Sequence, residues 1–277
     1  MSSYQAPFDP TLMLAYIGVT FSPFLVMTQL AVISLLPLLS NFKKPRKTVF
    51  YILYLVPEVI SFILLWIYYI VPVAANIASG NKVPSFDNPD VSMKVTLGVL
   101  YYYVMAYTLE LLYNYQEMQF MLMLHHVSAI SITLVASYLC LSLDNTNLLL
   151  IEYVILSGTS AVLHASIDFI PHMYLLLRQF DAPKRVIWFF GMLSIWPVTI
   201  FRLLANVFFA LIVRYFVVNV MSTYSAIFYG WTVFMGTGTA ILAVTQYWAH
   251  GIYVKIQKKD RKEEEYQSPM ETLSDRW

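Results

Sequence analysis

His125 and His126 stand side by side in the stretch EMQFMLMLHHVSAISITLVASY, residues 117–138, which is otherwise almost free of charge. A neutral imidazole suits proton abstraction at cellular pH, because its unperturbed pKa lies near about 6.5. A third histidine, His164, belongs to a polar series: Tyr153, Ser157, Ser160, His164 and Asp168 follow one another by +4, +3, +4 and +4. That spacing is one face of a helix. It offers a base, a carboxylate one turn away to orient it and support an imidazolium, and hydroxyls for a developing oxyanion. His125, His126, His164 and Asp168 are therefore the catalytic candidates. Arg202, Tyr153, Ser157, Ser160 and Glu110 are the candidates for holding a substrate.

The elements that carry these residues are set by composition. Of 277 residues, 59% are apolar or aromatic and 12% are charged, whereas soluble domains run nearer ~25% charged. Seven apolar stretches are long enough to cross a bilayer: about 11–39, 49–75, 96–114, 120–142, 148–170, 186–213 and 224–254. The first has no basic start and no small-residue cleavage site, so it reads as a retained span. The fold class expected is an all-α integral membrane protein of seven transmembrane helices. Six of them should surround a polar-lined cavity that tapers and opens to the cytosol, with the first span outside.

The divisions are 1–48 (luminal N-terminus, first helix and basic loop), 49–255 (six-helix membrane domain) and 256–277 (charged, loosely ordered cytosolic tail). Thirteen lysines and arginines fall on the side of the tail and three on the other, with Arg202 inside a span. The positive-inside rule then puts the N-terminus in the lumen and the C-terminus in the cytosol. A net charge of +1 gives no reason to expect nucleic acid. The single cysteine, Cys140, excludes an internal disulfide and a cysteine-based metal site. No bound metal or cofactor is expected.

Ionisable residues within spans are functional candidates by default. Spans four and five form a hairpin whose turn centres near Asp144 and Asn145, so residues whose numbers sum to about 289 lie level. His125 and His164 satisfy this, and His164 and Asp168 are expected to share one site with the His-His pair. Glu110 and Arg202 lie at similar depths, about 21 Å and about 17 Å from the outer side at 1.5 Å per residue. A Glu110–Arg202 ion pair is the packing alternative to a binding role.

At these residues the sequence resembles the TLC-domain family, which contains the ceramide synthases. The resemblance is carried by the acidic residue, His125-His126 and the following Ser137-Tyr138, then by Phe201-Arg202, and finally by Leu242-Ala-Val-Thr-Gln246-Tyr-Trp248. It covers about residues 49–255. The acidic positions that ceramide synthases carry on the next helix align with Gly158 and Ala161 here, which marks a divergent member.

The resemblance implies a protein of lipid metabolism in the endoplasmic reticulum. In the active branch it implies an acyl-CoA-dependent lipid N-acyltransferase of sphingolipid type, with a histidine as base and acyl-CoA as co-substrate. Lys184, Arg185 and Arg178 could receive the CoA phosphates. Its partners would be a membrane lipid and acyl-CoA, with room for a homo-oligomer. Two other readings stand beside it: a non-catalytic TLC-domain protein that binds, senses or traffics lipid, and a seven-span receptor. Against the receptor, no extracellular disulfide can form within the chain. Against a retinal protein, the last span has no lysine.

Overall fold

The computed structural model describes residues 26–42, 45–81, 86, 89–142, 148–220 and 226–274. These form α1 (Val26–Leu38), α2 (Pro45–Leu65), a π turn (Trp66–Ile70), α3 (Val71–Ala78), α4 (Pro89–Asn114), a 3₁₀ turn (Tyr115–Glu117), α5 (Phe120–Ser142), α6 (Leu148–Ser166), α7 (Phe169–Gln179), α8 (Lys184–Val220) and α9 (Ala226–Ser274). Among the described residues there is no strand. The protein is an all-α membrane protein, and among the described residues six helical segments are long and apolar enough to cross a bilayer, from Pro45–Ala78 to Ala226–Asp260. Most of the expected first span, and the turn expected at Asp144–Asn147, lie outside the described residues; Val26–Leu38 is helical.

Backbone chemistry explains the breaks. Pro72, the second residue of α3, has no N–H to give back along the helix, and the π turn sits immediately before α3. Pro171 does the same at the start of α7. The carbonyl of Ile167 is bonded instead by the N–H of Ile170 at 3.2 Å, and α6 stops at Ser166. The fifth span thus bends at Ile167 and Asp168 and runs on to Gln179, nine residues past its expected end at 170. The tail differs as well. Its backbone stays helical to Ser274, in a Lys-, Arg-, Glu- and Gln-rich stretch of good helix formers.

Helix α6 is the axis. Every residue from Leu150 to Ser166 except Glu152 is buried, and α6 packs on α2, α4, α5, α8 and α9. Together with α7, those helices close a ring in the order α2, α4, α5, α9, α8, α7 and back to α2. The expectation of six spans around a cavity is modified: the first half of one span fills the centre. Its second half, α7, swings at Asp168 into the ring wall between α2 and α8. The ring interior beyond His164 therefore has no central helix. That half ends at the face where α9 leaves with Lys255 to Asp260, here called the tail face.

Close approach of helices relies on small residues, as membrane packing requires. A Cβ on Gly238 of α9 would lie 2.7 Å from Ile132 Cδ1 of α5. Outward faces are apolar: Ile200, Leu203 and Leu204 of α8 are exposed while Arg202, between them in sequence, is buried.

Candidate functional site

All five histidines of the chain take part in one belt of polar contacts around the ring interior. Each neighbouring pair of ring helices is joined by at least one hydrogen bond. Tyr54 Oη on α2 donates to the Ala106 carbonyl of α4 at 3.3 Å. Glu110 Oε2 of α4 meets His126 Nε2 of α5 at 3.1 Å. His125 Nδ1 of α5 meets Thr245 Oγ1 of α9 at 3.2 Å. From α9, Gln246 bonds Arg202 of α8, and His250 Nδ1 reaches Thr199 Oγ1 of α8 at 2.9 Å. Arg202 bonds Asp168 at the bend before α7. His172 Nδ1 of α7 closes the circle on Glu58 Oε2 of α2 at 2.8 Å.

The proton positions follow from the partners. Thr245 donates its hydroxyl proton to the Leu242 carbonyl at 2.9 Å, so it accepts from His125. Neutral His125 then carries its proton on Nδ1 and its lone pair on Nε2. His126 is held more strongly, by a carboxylate. With Nε2–H donated to Glu110, the neutral ring has its lone pair on Nδ1, which is buried without a hydrogen-bond partner. Its ring is stacked on Tyr107 at 4.2 Å between centroids, and Tyr107 also meets the edge of His125 at 5.8 Å. The hydroxyls of Tyr103 and Tyr107 are likewise buried and unpartnered. A base nitrogen and two phenol groups without partners mark an interior suited to a polar group of a ligand.

Each nitrogen of Arg202 has a partner within the protein. Its Nε donates to the His164 carbonyl at 2.8 Å, Nη1 to Gln246 and Nη2 to Asp168. The Glu110–Arg202 pair, the packing alternative, does not form: Glu110 meets His126 and Arg202 meets Asp168. Nor does Asp168 orient the His164 ring. The bend at Ile167 takes Asp168 off the α6 face, its carboxylate goes to Arg202, and His164 Nε2 bonds Asn206 Oδ1 at 2.7 Å instead. His164, Asp168 and Arg202 are nonetheless one cluster, and consecutive Thr245 and Gln246 connect it to His125.

The remaining substrate-holding candidates lie elsewhere. Tyr153, wholly buried between Phe216 and Phe228, bonds Thr232 at 2.7 Å. Ser157 donates to the Tyr153 carbonyl and accepts from Trp231 Nε1 at 2.7 Å. Ser160 donates to the Ser157 carbonyl. All three bind helix to helix or to their own backbone. Gly158 faces Ala136 and Trp231, within this apolar part. Among the described residues, no three His, Cys, Asp or Glu side chains gather as a metal site.

No family model, no curated protein and no solved structure matches this chain.

Sequence reasoning missed His172, His250 and the role of Glu110. For Glu110 a signal existed. Helices α4 and α5 form a hairpin about Tyr115–Gln119, and 110 and 126 are symmetric about 118. The level rule that links His125 to His164 also links Glu110 to His126.

Proposed function

We propose that the belt is the reaction site of a membrane enzyme that transfers an acyl group from acyl-CoA to a lipid amine, with His126 as general base and Glu110 as its orienting carboxylate. The observation that carries this reading is the Glu110–His126 contact, which leaves an unpartnered base nitrogen inside the membrane. A base backed by a third group is the recurring arrangement of nucleophile activation. His125, oriented by Thr245, is a second lone-pair nitrogen beside it, and the Tyr103 and Tyr107 hydroxyls are the donors for a developing oxyanion. In this reading Arg202, Asp168 and His164 position α9 and so His125. The resemblance of the His-His, Phe-Arg and Gln-x-Trp segments to TLC-domain proteins supports the same chemistry. With it come an endoplasmic reticulum location, a cytosolic tail face and a sphingolipid-type substrate. Lys184, Arg185 and Lys258 are exposed at that face, where a CoA phosphate would arrive.

One observation favours a second reading, a lipid-binding protein without turnover. Arg202, Tyr153, Ser157 and Ser160 are all occupied by the protein itself. Comparative lipid profiling of cells with the wild-type chain, the His125→Ala/His126→Ala variant or neither distinguishes the two. An N-acyl lipid that appears with wild type and vanishes in the folded double variant supports the enzyme. An unchanged profile supports the binding protein.

A further inference from the structure

The last turn of α4 ends in a side chain that the belt does not use. Asn114 is 2% exposed, although the next two residues, Tyr115 and Gln116, are exposed at the tail face. Its Nδ2 and Oδ1 are both buried without a hydrogen-bond partner, and its side chain does not cap the 3₁₀ turn that follows. Burying an amide unpaired costs free energy, and water is one residue away. Tyr103, Tyr107, Glu110 and Asn114 follow one another by +4, +3 and +4, so they share one face of α4. That face carries the ring stacked on His126 and the carboxylate that meets its Nε2. Asn114 stands one turn, about 6 Å, nearer the tail face than Glu110. Its side chain leans back toward Glu110, because helical side chains tilt toward their own N-terminus. Lys47, in the first turn of α2, is close enough to act on Glu110 electrostatically, so a cation lies at the same entrance.

A buried carboxamide needs an acceptor for its N–H groups and a donor for its oxygen. The pantetheine arm of acyl-CoA offers both in each of two secondary amides, the nearer one two methylenes from the thioester sulfur. That short spacer suits the single turn between Glu110 and Asn114. Direction selects the same ligand. With the thioester beside His126, the acyl chain and the lipid lie on the membrane side, and the arm leads past Asn114 to phosphates in water. We propose that Asn114 holds the pantetheine arm of acyl-CoA and so sets the thioester against His126. The inference rests on the acyl-transfer reading and makes Asn114 a positioning residue for the donor.

The test is binding of unreactive donors to the full chain in lipid nanodiscs, which needs no turnover. One probe is a radiolabelled hexadecyl thioether of pantetheine; the other replaces each of its amides with methylene groups. Asn114→Leu fills the same space without polar atoms, and Asn114→Ala is the second variant should the first disturb the fold. The expected result is that each variant binds the pantetheine thioether about tenfold more weakly than wild type, and the methylene thioether within about twofold of it. Unchanged binding of the pantetheine thioether in a folded variant, equal loss of both probes, or no binding to wild type overturns the inference. Weaker binding of sphinganine, with thioether binding kept, would assign Asn114 to the acceptor lipid and overturn it too. Amide formation is measured in parallel. Its absence in wild type, beside thioether binding that depends on Asn114, overturns the enzyme reading alone. Where wild type turns over, Asn114→Leu is expected to raise KM for acyl-CoA more than it lowers kcat.

Discussion

Glu110 on α4 meets His126 on α5 at 3.1 Å through Nε2, and the opposite nitrogen of that ring is buried with nothing to bind. A carboxylate that fixes one imidazole nitrogen raises the value of the other as a base, and in an interior of low dielectric the contact also fixes the ring's direction.

Glu110→Gln keeps the shape of the contact and removes its charge. Amide formation by the reconstituted chain is expected to fall in kcat by up to about 10²–10⁴, the contribution of the base that Glu110 orients, with little change in KM. Rates within a factor of about two of wild type would show that the carboxylate only ties two helices together.

The Asp168–Arg202 pair should matter chiefly for folding. Arg202 is 6% exposed and bonds three acceptors. Arg202→Met leaves Asp168 without its cation, a loss of about 3–5 kcal/mol for a broken buried pair. Unfolding in detergent is expected to shift accordingly, and the double variant Arg202→Met/Asp168→Leu should regain much of the loss.

Ser157→Ala separates packing from chemistry. Trp231 Nε1 would lose its acceptor inside the core, a loss of about 1–3 kcal/mol, while turnover by the protein that remains folded is expected to be unchanged. A drop in kcat per folded molecule would restore Ser157 to the site.

Gly238→Ala probes the α5–α9 seam that brings Thr245 to His125. The added methyl would sit 2.7 Å from Ile132 Cδ1, and overpacking of this kind is worth about 1–3 kcal/mol. Ile132→Val removes that Cδ1, so the double variant should be more stable than Gly238→Ala alone in the same detergent assay.

The ring and its belt were legible in the sequence to different degrees. Span positions came from hydrophobic length alone, and the level rule puts His125 and His164 at one depth because depth along a hairpin is fixed by rise per residue; in the structure His125 bonds Thr245 and His164 bonds Asn206. What the rule lacks is rotation about the helix axis. Asp168 shares a face with His164 only on an unbroken helix, and Pro171 breaks it. His172 lay two residues past the expected end of its span, and the span in fact runs on beyond the bend to Gln179. The partner of Arg202 depended on which helix α8 faces, and this is set by the packing of α6 at the centre of the ring, a feature no single segment encodes.

The most direct measurement is transfer of an isotopically labelled acyl chain from acyl-CoA to lipid amines in vesicles holding the purified chain, read by mass spectrometry for wild type and His126→Asn. The expected result is labelled N-acyl lipid with wild type and at least about a hundredfold less with His126→Asn. No labelled product with wild type, or equal product with the folded His126→Asn variant, would contradict the assignment of His126 as the base.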